Sequence, residues 1–117
     1  MDRDRYVLLR LYHTTGGESW RRKRGWAENA THRTEGWAEN ATHLGSWRGV
    51  TINADGRVVK LELNRLNLTG PLPPELGQLG AMEVLDLSDN FLSGAIPKEL
   101  GSLTALEQLD LSLNNID

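Results

Sequence analysis

Cysteine is absent from the 117 residues. Disulfides and thiolate metal sites are thereby excluded, and with them the cross-links that hold many small secreted domains together. The three histidines, His13, His32 and His43, have no cysteine and no helical i+4 partner, so no metal site is expected. No run of 18 apolar residues occurs, so nothing is expected to span a membrane. The opening MDRDRYVLLRLYH has charge ahead of a short apolar run, without the apolar core and small-residue cleavage site of a signal peptide. It reads as a mature start, and with the missing cysteines it predicts a cytoplasmic protein. Phosphate-cradling, nucleophile-elbow and dinucleotide fingerprints are also missing, so neither an enzyme nor a cofactor is expected.

Charge divides the chain. Residues 1–57 carry 10 Lys/Arg against 7 Asp/Glu, a balance of +3, and residues 58–117 carry 3 against 9, a balance of −6. An acidic surface repels phosphate, so the second half is a poor nucleic-acid binder. The basic run Arg21-Arg22-Lys23-Arg24 reads as a solvated loop.

What is present is a repeat of period 24 from Val58 to Ile116. Val58, Met82 and Leu106 open its copies; Leu61, Leu85 and Leu109 follow, then Leu63, Leu87 and Leu111. Asn90 and Asn114 match, as do Gly70 and Gly94, and Pro73 and Pro97. The form L-x-x-L-x-L-x-x-N-x-L at such a period is the mark of a leucine-rich repeat. The copies run 58–81, 82–105 and, in part, 106–117. Each L-x-L is expected to be a short strand with inward leucines, stacking into a parallel sheet. Stacked Asn90 and Asn114 would bond the backbone of the adjacent turn.

Residues 1–57 read as an N-terminal cap. A helix over 2–14 shows the i, i+3, i+4 stripe in Leu8, Leu11 and Tyr12, with Asp2 or Asp4 capping it and Gly16-Gly17 ending it. The word GWAENATH stands at 25–32 and again at 36–43, a tandem duplication of 11 residues inside a segment over 25–46. Trp26 and Trp37 fall in register: a helical segment would put both on one stripe, but the favoured expectation is that one fills the cap's pocket and the other lies in an added loop. Val50, Ile52 and Val58 around Asp55-Gly56 predict a hairpin over 47–59.

Thr15-Gly16-Gly17-Glu18-Ser19-Trp20, Trp47-Arg48-Gly49-Val50 and Asn90-Phe91-Leu92-Ser93-Gly94-Ala95-Ile96-Pro97 together resemble the plant-type leucine-rich repeat family with its cap. The resemblance implies an α/β solenoid with an irregular or 3₁₀ convex side and a non-catalytic, protein-binding role. It also implies two alternatives: the sensor end of a larger receptor-like kinase or GTPase, and a structural or dimerising piece. Secreted members carry cysteines around W-x-G-V, where Gly45 and Ile52 stand here.

A protein partner would meet the concave, outward residues Val59, Lys60, Glu62, Asn64 and Arg65; Glu83, Val84, Asp86, Ser88 and Asp89; and Glu107, Gln108, Asp110, Ser112 and Leu113. That face is acidic, with a basic corner at Lys60 and Arg65, and suits a basic or polar partner patch. Self-association through the open end at Leu109, Leu111 and Ile116 is a further expectation, with marginal stability for the isolated chain. The sequons at Asn29, Asn40 and Asn67 are expected to stay bare, since they matter only on a secreted chain.

Overall fold

A computed structural model describes residues 3–26 and 44–116. Trp37, the second GWAENATH copy, and Asn29, Asn40, His32 and His43 lie outside the described residues. The helix α1 spans Arg3–Thr14. Val7, Leu8, Leu11 and Tyr12 are buried along one stripe. The chain leaves the helix through Gly16, at φ 69°, a left-handed turn that glycine adopts without Cβ strain.

Asp4 behaves differently from a helix cap. Its carboxylate is buried and accepts two bonds from the Arg57 guanidinium, at 2.8 and 3.1 Å, and one from the Val58 amide at 2.9 Å. The same carboxylate therefore fastens the helix to the start of the repeats, because three donors converge there once the hairpin has formed. Such long-range convergence has no local sequence signal.

The hairpin pairs β1 (Val50–Ile52) antiparallel to β2 (Val58–Glu62). Asn53 forms its turn, accepting from the amides of Asp55 and Arg57 at 2.9 and 3.0 Å. Gly49 precedes β1 at φ 82°, and a Cβ there would strike the carbonyl oxygen of Glu62. The glycine of W-x-G-V is thus required by close backbone approach as well as by its dihedral.

Two further strands extend the sheet in parallel, β4 (Val84–Asp86) and β6 (Gln108–Asp110), giving the order β1-β2-β4-β6. Leu61, Leu63, Leu85 and Leu87 point into the core and are fully buried. A second, smaller sheet is built from β3 (Thr69–Gly70), β5 (Phe91–Gly94) and β7 (Asn115–Ile116). The sequence marked this segment only by the matching Gly70 and Gly94. Burial of Leu68 and Leu92 brings these segments side by side, and the Phe91 amide then donates to the Leu68 carbonyl at 2.8 Å. Pro73 and Pro97 are extended and lead into 3₁₀ turns, Pro74–Gln78 and Lys98–Ser102, on the side away from the main sheet. The architecture is mixed α/β with a parallel sheet.

The core runs without a break from cap to repeats. In the cap, Trp20, Trp26 and Trp47 are buried, with neighbouring ring centroids 4.8 and 5.2 Å apart. Trp20 Nε1 donates to the Thr15 carbonyl and Trp26 Nε1 to the Arg48 carbonyl, at 3.2 and 2.9 Å. Buried Arg5 lies over the Trp47 ring at 5.7 Å, a cation–π contact that lets a charged side chain line the core. Leu106, Leu111 and Ile116 are only partly buried, and Leu109 is 48% exposed.

Candidate functional site: the concave sheet face

The registers of β2, β4 and β6 turn the repeat into columns. Lys60, Val84 and Gln108 are neighbours across the sheet, and so are Glu62, Asp86 and Asp110. Neighbouring strands lie about 4.8 Å apart, so the second column sets three carboxylates within reach of one partner. Side chains alternate across a strand, and Lys60, Glu62, Asn64, Gln108, Asp110 and Ser112 are exposed while Val84, Asp86 and Ser88 are half-buried. Glu107 is exposed, and Val59 and Glu83 are half-buried.

Hydrogen bonds within the repeat aim the acidic column. Asp86 Oδ1 accepts from the Ser88 hydroxyl at 2.6 Å and its amide at 3.0 Å. Asp110 repeats the pattern with Ser112 at the same distances. These bonds hold the Asp110 carboxyl below its usual range, the hydroxyl contributing most and the amide next.

Three residues at a spacing of 24 take the left-handed conformation, Arg65, Asp89 and Leu113, with φ of 57, 58 and 58°. None is Gly or Asn, so composition did not mark them. The turn lifts Arg65 and Asp89 to the rim, where the Arg65 Nε donates to Asp89 at 2.9 Å. Their side chains are 77% and 45% exposed, so this pair contributes little stability. It does neutralise part of the basic corner and, among the described residues, leaves Lys60 without an ion-pair partner. Leu113, beside them in the repeat, is 73% exposed.

Asn90 and Asn114 hold the turns together. Asn90 is buried; its Oδ1 accepts from the amides of Leu66 and Leu68, and its Nδ2 donates to the carbonyls of Leu63, Leu87 and Ser88. Asn114 does the same for Leu92, Leu87, Leu111 and Ser112. Each asparagine thus satisfies the backbone of its own repeat and of the one before, which is why the first repeat functions with Leu66 in that slot.

A feature beyond the sequence reading adjoins this rim. Arg21, Arg65, Asn67, Asp89 and Phe91 line an open cleft of about 220 Å³. The Arg21 amide donates to the Leu66 carbonyl at 2.9 Å, which fixes the start of the basic run against the first repeat. The available signal was Phe91, an aromatic where the other copies have Asn67 and Asn115.

Among the described residues, no group of three His, Cys, Asp or Glu is placed to hold a metal ion, and no helix is long and apolar enough to cross a membrane.

The Leucine Rich Repeat family model matches residues 81–103. A probable leucine-rich repeat receptor-like protein kinase of Arabidopsis thaliana is 46% identical over 44 residues, 38% of this chain and 5% of the kinase. The BIR2 ectodomain of Arabidopsis thaliana superposes with a TM-score of 0.75 at 33% identity, over 99% of this chain and 58% of that one. The LRR ectodomain of the plant membrane receptor kinase GASSHO1/SCHENGEN3 from Arabidopsis thaliana, in complex with CASPARIAN STRIP INTEGRITY FACTOR 2, does so at 0.72 and 30%, over 97% and 12%. The chain therefore spans a small part of the kinase and little more than half of the shorter ectodomain.

These likenesses overturn the cytoplasmic expectation, since the similar structures are receptor ectodomains, which are extracellular. The error was to read a compartment from two absences, that of a leader and that of a cross-link. A Cβ on Gly45 would lie 3.3 Å from Ile52 Cγ1. The two positions where the resemblance places cysteines in secreted members are thus close together in the fold. The chain carries a leucine-rich repeat of the plant type, in a fold similar over almost all its length to plant leucine-rich repeat ectodomains.

Proposed function

We propose that this chain is a non-catalytic protein-interaction module that binds a basic peptide or protein segment on the concave face, in an extracellular setting like that of the similar ectodomains. The observation that carries the reading is the in-register column Glu62, Asp86 and Asp110, flanked by Glu83 and Glu107. Backbone pairing spaces these carboxylates by the strand repeat, and Ser88 and Ser112 fix two of them, so little side-chain entropy is lost on binding. Opposed charge then favours encounter and selects against acidic partners. The ectodomain solved with CASPARIAN STRIP INTEGRITY FACTOR 2 supports a binding role for a fold of this kind. Matches to receptor kinases favour a second reading, in which the chain is the sensor part of a larger receptor.

Selection of displayed peptides against the chain tests the proposal. Enriched peptides are expected to be rich in Lys and Arg, and Glu83→Lys, Asp86→Lys and Asp110→Lys together to weaken them at least about tenfold. Enrichment without a basic bias, or binding that survives the charge reversal, refutes it.

A further inference from the structure

The sequon Asn67-Leu68-Thr69 acquires a meaning once the chain is compared with ectodomains. Asn67 sits on the rim at φ 69°, where its Nδ2 donates to the Ser19 carbonyl at 3.1 Å in an exposed position. Thr69 is exposed. Beside Asn67, in the same cleft, Phe91 is 59% exposed, although the corresponding residues of the other copies are polar. An open aromatic face with two guanidinium groups and a carboxylate around it is a surface matched to a sugar ring. The ring's C–H face covers the aromatic, and its polar substituents meet the charged groups.

We propose that Asn67 carries an N-linked glycan whose first N-acetylhexosamine lies in this cleft against Phe91. In the transfer, a bond forms between Asn67 Nδ2 and C1 of the sugar. The bond from C1 to the diphosphate of a lipid-linked oligosaccharide breaks, and the lipid diphosphate leaves. The amide gives up one proton to the transferase, and nothing is oxidised or reduced. The secondary amide so formed keeps one N–H, so a donor for the Ser19 carbonyl remains after the transfer. In the living organism the inference rests on the extracellular setting proposed above.

The test directs the full chain, with Asn29→Gln and Asn40→Gln, into the secretory pathway of a eukaryotic cell behind a cleavable leader. Intact mass is read before and after glycosidase treatment. One glycan is expected, lost in Asn67→Gln and in Thr69→Ala and kept in Thr69→Ser. Because the leader imposes the compartment, the outcome is independent of the native location and of any peptide binding. A secreted chain bare at Asn67 overturns the proposal. Phe91→Ala is expected to keep the glycan but to abolish the drop in melting temperature that deglycosylation causes in the parent. An equal drop in both chains removes the sugar from Phe91 and overturns that part.

Discussion

At the scale of residues, a few polar side chains do more for this fold than their number suggests. Asn90 and Asn114 occupy equivalent positions and differ chiefly in burial, which makes them an internal control. Replacing Asn90 by Ala strands the amides of Leu66 and Leu68 and the Leu63 carbonyl inside the core, while the Leu87 carbonyl keeps its bond from Asn114. Each buried unpaired group costs about 1–3 kcal/mol, so a loss of at least ~3 kcal/mol is expected from Asn90→Ala. Asn114 is half-buried, and water can reach the groups it leaves, so Asn114→Ala should cost about 1 kcal/mol. Urea unfolding of the two variants measures the difference; equal losses would show that burial does not set the cost. Asparagine at the repeat's slot was legible because it recurs. The work of Asp4 was not, since its partners Arg57 and Val58 lie 53 and 54 residues away.

At the scale of elements, the cap shows how a duplication is absorbed. Gly25 and Trp26 are in place: Trp26 is wholly buried, edge-on to Trp20, tilted against Trp47, and bonded to the Arg48 carbonyl. Deleting residues 25–35 removes this pair and brings Gly36 and Trp37 to follow Arg24 directly, with the same word behind them. The deletion also shortens the connection to Leu44, and loop-closure entropy falls slowly with length. The melting temperature of the deleted chain is therefore expected to stay level or to rise slightly in a thermal scan; unfolding would show that both copies are structural. The strands of the repeats followed from the spacing of leucine, and the 3₁₀ turns from the family resemblance. The second sheet did not, because β3, β5 and β7 are two to four residues long and have too little sequence for a period to register.

At the scale of the whole molecule, charge is sorted by the stacking of repeats. Glu62, Asp86 and Asp110, three of the nine acidic residues of 58–117, gather on one face because a period of 24 returns these positions to the same side. Binding of basic peptides by that face should weaken as salt rises. The part of it that Asp110 carries should also hold on in acid. The lowered Asp110 carboxyl keeps its charge as pH falls through the ordinary carboxylate range, and loses it only on falling through its own lower value. Ser112→Ala removes the largest cause of that lowering, so the acid loss of binding should move to higher pH. Titrating the affinity of the selected peptides for both chains checks this, and coincident curves would take Asp110 out of the interface.

Period, composition and word repetition are local or periodic properties, and the sequence by itself determined whatever depends on them. These were the leucine-rich solenoid pattern, the inward leucines, the helical stripe of the cap and the acidity of the repeats. The tertiary structure decided whatever depends on residues far apart in the chain coming together. Asp4 became a clamp, Arg65 was matched by Asp89, Gly45 met Ile52, and Asn67 and Phe91 came to share a cleft. The physical reason is range. A hydrophobic period is written every few residues, whereas a hydrogen bond or a cleft exists only where the folded backbone closes the distance.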